Sequence, residues 1–389
     1  MTDIYFRLIR FALGIDEGKE FLDGSVLRGF DWSGFFEFAK KQTLVGVIFE
    51  GVQRLPKEVS PERDLLLRWF ALSQQIAKRN RVLNKASVYI YNQVKAEGEN
   101  CCILKGQGNA VLYPNPFSRT SGDVDVWVDA SRERIREMAA SITLKMGRVV
   151  EESYNHIVLE VNGVTMEIHS TPALLNNPVY NRRLQNWLHE KVAVQCAHLV
   201  ELPQQVGSIA VPTSSFNVVY QLLHLYHHFF YEGVGLRQIL DYYFVLVKSE
   251  ELGVKSEERR VKNSNPIQQN VSLQQELKYL GMWQFAGAVM YVLHQVLGLP
   301  ENQMIAPMDV KRGRLLLDEI LEGGNFGFHD ERYAWGRDEV GSDGFKHGAL
   351  GHNLLRLYRD ARLLRYYPSE ALSEPFFRIW HFFWRKKNK

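Results

Sequence analysis

Asn162-Gly163 sits between two short β-rich runs, Asn155 to Val161 and Val164 to His169. Both central residues of a two-residue hairpin turn need positive φ, which Asn and Gly tolerate best, so the dipeptide predicts a β-hairpin. Counting outward from the turn sets Val161 against Val164, Val158 against Glu167 and His156 against His169. Glu167, His169, Val158 and His156 then share one face of a sheet, and Glu160 is counted to the opposite face. An acid among apolar neighbours is costly unless it is paired or bound to metal, which singles out Glu167.

A second apolar segment, Val124-Asp125-Val126-Trp127-Val128, has strand character and follows Gly122-Asp123. Side chains two apart on a strand point to one face, so Asp123 and Asp125 can converge on one site. Two hard anionic oxygen donors side by side suit Mg²⁺, which takes one or two carboxylates and leaves substrate phosphates to fill its shell. Gly122 gives the backbone room to turn and a phosphate room to approach.

Helical periodicity surrounds this β-rich centre. Asp31-Trp32-Ser33 offers capping groups ahead of an apolar run, and Leu66 to Gly98 repeats apolar residues at three and four. Ser131 caps a helix that ends near Gly147, and helix returns at Ser214. The expected class is α+β: a small mixed sheet flanked by helical regions. The expected divisions are 1–98, 99–205 and 206–389, the last holding a polar insertion at 249–272 and a glycine-rich loop at 323–351.

Composition narrows the function. With 389 residues there is ample core for two or three domains, and 46% hydrophobic against 23% charged residues excludes wholesale disorder. A formal charge of +3 with no basic stripe argues against a long nucleic acid as partner. Three cysteines without a framework fit a reducing compartment, and the N-terminus reads as an amphipathic helix rather than a signal peptide. Nothing resembles a spanning helix, so a cytoplasmic location is expected.

Leu104-Lys105-Gly106, Tyr113-Pro114, Arg119, Gly122-Asp123-Val124-Asp125 and Glu167-Ile168-His169 together resemble one family. It is the uncharacterised nucleotidyltransferases of bacteria, within the polymerase-β-like nucleotidyltransferase superfamily. His224, His227 and His228, then Gly235-Leu236-Arg237 with Asp241, resemble its helical C-terminal part. The resemblance implies a nucleoside triphosphate substrate bound through Mg²⁺ (or Mn²⁺) on Asp123, Asp125 and Glu167. It implies Lys105, Gly106, Arg119 and Gly122 as the nucleotide-contacting set. A nucleoside monophosphate would pass to a small-molecule or macromolecular acceptor that the sequence does not name. Gln107 stands where the superfamily usually has serine, and the spacer to Asp123 is longer than usual. Those departures favour the alternative of a catalytically silent nucleotide-binding or scaffold protein.

Other features have plainer readings. Arg237 and Asp241, four apart, predict an intrahelical ion pair, and Arg119 has Asp123 or Asp129 as alternative partners. The three histidines predict a packed helix more readily than a metal site. Gly323 to Gly327 reads equally as a lid or a helix stop. The tail PFFRIWHFFWRKKNK, within 375–389, either lies on an anionic membrane surface or packs its aromatics on the helical domain, the latter being simpler.

Overall fold

The computed structural model describes residues 2–24, 26–256, 266–330 and 349–387. Helices α1 (Thr2–Leu13), α2 (Lys19–Leu22), α3 (Trp32–Lys41), α4 (Val45–Val52) and α5 (Arg63–Ala96) precede the sheet. Asp31 accepts the Gly34 N–H and caps α3, as its sequence predicts. The chain then leaves α5 through Gly98, whose φ of 87° only glycine adopts readily.

Strands β1 (Cys101–Leu104), β2 (Val124–Val128), β3 (Gly147–Glu152), β4 (His156–Val161) and β5 (Val164–His169) form one sheet in the order β1-β2-β5-β4-β3. Only the β2–β5 pair is parallel; the others are antiparallel, so the sheet is mixed. Asn162 and Gly163 both take positive φ, and the β4–β5 register is the one counted from the turn. Glu160 departs from expectation. It pairs opposite Thr165 and lies on the face of Val158 and His156, because side chains two apart cannot be separated by the sheet. It is drawn aside there by an ion pair with Arg148 at 2.7 Å.

Helices α6 (Gly106–Ala110) and α7 (Arg132–Met146) interrupt the strands, and Ser131 caps α7 by accepting the Arg134 N–H. Beyond the sheet come α8 (Pro178–Ala197), a two-stranded ribbon of β6 (Leu199–Glu201) and β7 (Ser208–Ala210), then α9 (Ser214–Tyr231) and α10 (Leu236–Ser256). Helices α11 (Pro266–Tyr279), α12 (Trp283–Leu297), α13 (Val310–Gly323), α14 (Ala349–Leu363) and α15 (Pro368–Lys387) complete the described chain. Helix therefore runs into the expected polar insertion from both sides, over 249–256 and 266–272. Residues 257–265 of that insertion, and 331–348 of the glycine-rich loop, lie outside the described residues.

The two faces of the sheet meet different partners. Cys101, Ile103, Val124, Val126, Leu159 and Ile168 pack with Leu83 and Ile90 of α5 and Met138 of α7. The opposite face contributes Cys102, Leu104 and Trp127 to a larger core that N-terminal and C-terminal helices share. On that side Phe216 of α9 stacks between Trp127 at 5.6 Å and Trp187 of α8 at 4.6 Å. Each ring pair adds about 0.5–1.5 kcal/mol beyond area burial. The stack fixes α9 above the sheet face that bears Asp125, Glu167 and His169. The cysteines are buried and free.

Candidate functional site

The site begins where β1 ends. Leu104 pairs with Asp125, and the chain then turns through Lys105 at φ 50° and Gly106 at φ 35° to open α6. That sharp turn brings Lys105 Nζ to 3.0 Å from Asp125 Oδ2. On its other side Asp125 is the register neighbour of Glu167 across the parallel β2–β5 pair. His169 Nε2 reaches both acids, 3.2 Å from Asp125 Oδ1 and 3.4 Å from Glu167 Oε2. Asp123, just ahead of β2, lines the same cavity of about 500 Å³, as do Gly106, Gly122 and Arg119. A Cβ built on Gly122 would meet nothing within 4 Å, so the approach there is open.

Charge is concentrated in this cavity. Burial, and after it the Asp125 carboxylate, pushes the Asp123 carboxyl up to about 6. Burial would raise Asp125 too, but Lys105 and His169 reverse this and hold it below the usual carboxylate range. Glu167 is likewise lowered against the effect of burial by its bond with His169, whose imidazole is raised in turn by the two acids.

His156 belongs to this group. It lies across from His169 with ring centroids 5.1 Å apart, and burial lowers its pKa. Ligand atoms of His156, Glu167 and His169 all fall within 4.8 Å of one another. The two histidines, set opposite each other by the hairpin register, thus flank an acid at metal-ligand spacing. Neutral imidazole is a ligand for transition dications, which fits this donor set.

Arg119 and Arg237 exchange their expected places. Arg119 is buried and grips Asp241 of α10 with Nε and Nη2, both at 2.7 Å, while Nη1 donates to Ser121. Tyr113 donates a further bond of 2.7 Å to Asp241. Asp123 and Asp129 are not the partners of Arg119, and the ion pair foreseen between Arg237 and Asp241 gives way to this one. Arg237 instead lines the cavity with one long bond of 3.3 Å to the Thr120 carbonyl, and its buried Nε has no partner. Its pKa is lowered by burial and then by Arg119.

The α9 histidines form the opposite wall. Glu232 bonds His228 Nδ1 at 2.9 Å, and His228 Nε2 meets His224 Nε2 at 3.1 Å, a chain of three polar groups. His227 stacks on Tyr231 at 4.3 Å instead, and burial lowers its pKa to about 3. Phe326, from the Gly323–Gly327 segment, packs 5.0 Å from His228 and under the Arg237 guanidinium at 5.6 Å. The Gly233 and Gly235 turn allows this: a Cβ on Gly235 would lie 2.8 Å from Asn325 Cα. Gln107 is buried away from the cavity and bonds Asn84. Phe377 and His381 of α15 close one end. Sequence reasoning marked Phe326 only as part of the Gly323–Gly327 segment, and missed Glu232 and Phe377 as cavity residues.

A mixed sheet that turns a lysine and three acids into one cavity defines a candidate nucleotidyltransferase site. The chain belongs to the uncharacterised nucleotidyltransferase family, which it matches over residues 28–265. No curated protein matches it. Among solved structures it is similar to an antigenic nucleotidyltransferase-like protein from Paracoccidioides brasiliensis at 16% identity, covering 51% of this chain and 92% of that one, with a TM-score of 0.31. That superposition is too loose to bear on the site.

Proposed function

We propose that the protein transfers a nucleoside monophosphate from a nucleoside triphosphate to a hydroxyl-bearing acceptor, with Asp123, Asp125 and Glu167 holding divalent cations. The observation that carries this reading is the parallel register of Asp125 with Glu167 beside Asp123 on one cavity. The donor chemistry fits: three carboxylates crowd together, and one of them is pushed up to about 6 by burial and its neighbours. A bound Mg²⁺ or Mn²⁺ would supply charge neutralisation at the triphosphate. The imidazoles of His156 and His169 beside Glu167 favour Mn²⁺ between the two.

The protein's own groups do the rest. Lys105 offers a point charge and Arg237 a planar fork to phosphate oxygens. Arg237 takes the role that sequence gave to Arg119, whose fork is committed to Asp241. The acceptor oxygen attacks the α-phosphorus, the bond to the bridging oxygen of the β-phosphate breaks, and pyrophosphate leaves. Glu167 or the nearby His169 receives the acceptor's proton. Phe326 and the α9 histidines line the cavity in which this exchange would take place.

A silent nucleotide-binding protein is the second reading, favoured by one feature. Lys105 and His169 already occupy both oxygens of Asp125. Incubation with labelled triphosphates and a cell extract separates the two. The enzyme reading expects a labelled product that requires divalent metal and disappears in Asp123→Asn. Metal-dependent nucleotide binding with no labelled product supports the silent reading; equal labelling by the variant overturns the role of Asp123.

A further inference from the structure

Helices α14 and α15 carry a surface that the cavity does not use. Leu372, Phe376, Ile379 and Phe383 follow each other at four, three and four residues along α15, the spacing of one helix face. All are exposed, Phe376 at 74% and Phe383 at 62%. The neighbouring face of the same helix is partly occupied: Trp384 and Trp380, the latter still 44% exposed, meet Tyr154 at 5.2 and 4.8 Å, and Arg132 lies 4.5 Å over Trp384. The aromatic tail is thus divided. One side docks on the sheet domain, and the other meets solvent.

Charge on these helices is sorted the same way. Residues 349–387 hold eight arginines and lysines against three acids. Those acids, Asp360, Glu370 and Glu374, are all buried. Arg365, Lys386 and Lys387 are exposed. Among the described residues of α14 and α15, the solvent face therefore combines large apolar groups with cations and bears no acid.

We infer that this face seats the protein on an anionic lipid bilayer. Aromatic and aliphatic side chains sink into the headgroup boundary, and flanking cations add attraction to anionic lipid. A protein partner fits less well, because lysine is depleted in protein interfaces while an apolar stripe ringed by cations needs no shaped counterpart on a bilayer. No described helix is long and apolar enough to cross a membrane, so the contact is a surface one. Because α15 also lines the cavity through Phe377 and His381, a seated protein holds its cavity beside the bilayer.

The test is co-sedimentation of the full chain with phosphatidylcholine vesicles, with and without phosphatidylglycerol, and it reads no catalytic activity. The wild type pellets with the anionic vesicles and far less with neutral ones. Lys386→Gln/Lys387→Gln reduces partitioning by roughly tenfold or more, and Phe376→Ser/Phe383→Ser abolishes it. Unchanged circular dichroism melts keep both variants interpretable, since the side chains are on the surface. Absence of sedimentation with anionic vesicles overturns the inference. So does a wild-type dimer, seen by light scattering, that Phe376→Ser/Phe383→Ser converts to monomer without any vesicle binding.

Discussion

Arg119 and Asp241 stand 122 residues apart in sequence and meet in the cavity wall as a two-pronged ion pair, both arms 2.7 Å long. The pair ties the loop before β2 to α10, and so sets the distance between the acids and the α9–α10 wall. Removing one partner strands a buried charge, a loss of about 3–5 kcal/mol. Arg119→Ala is accordingly expected to lower stability by that amount in chemical denaturation, and Arg119→Met/Asp241→Leu to recover much of it. Equal stability of Arg119→Ala and wild type would show that the pair is not structural.

Arg237 is expected to behave oppositely. Its one bond is long and its Nε has no partner, so Arg237→Ala costs little stability. A charge-assisted contact to phosphate is worth about 1.5–3 kcal/mol, which lowers triphosphate affinity by roughly ten- to a hundredfold. Titration calorimetry of the variant reads this directly. Unaltered affinity returns the phosphate role to Lys105 alone.

Much of this site follows from short-range sequence rules, and the remainder does not. The hairpin register was legible because Asn162-Gly163 pins the turn, and period two then carries Glu167 and His169 to one face. The partner of Arg119 was hidden because Asp241 lies on a helix far along the chain, with a nearer arginine as decoy. Strand β3 escaped notice because all six of its residues are exposed, leaving no alternation to read. The division of the C-terminal aromatics depends on Tyr154, which no pattern in the tail reveals.

Glu370 supplies a pH dependence. Burial raises its carboxyl from 4.5 to about 7, although it accepts the N–H groups of Asn176 and Asn177. Between those values the folded protein keeps a proton that the unfolded chain has lost, so stability falls as pH rises through that window and levels off above it. Glu370→Gln is expected to flatten this slope in thermal melts taken from pH 5 to pH 8 (roughly the window in which the linkage acts). An identical slope in the variant assigns the dependence elsewhere.

Phe216 is expected to support the fold without itself setting the positions of the acids. Its ring lies between Trp127 and Trp187, and cutting it back to alanine costs about 3–5 kcal/mol. Phe216→Leu keeps most of the apolar volume while losing the stack. It should fold with lower stability and bind metal normally, read by denaturation and calorimetry together. Loss of metal binding in a folded Phe216→Leu would mean that α9 positions the acids themselves.

Calorimetric titration with a nucleoside triphosphate, with and without Mn²⁺, on wild type and Asp123→Asn tests the metal-centred site most directly. Tight binding is expected only when wild type and metal are both present, and Asp123→Asn is expected to melt like wild type yet lose the metal-dependent share. Binding of equal strength in the variant, or binding indifferent to metal in the wild type, contradicts the metal-centred site.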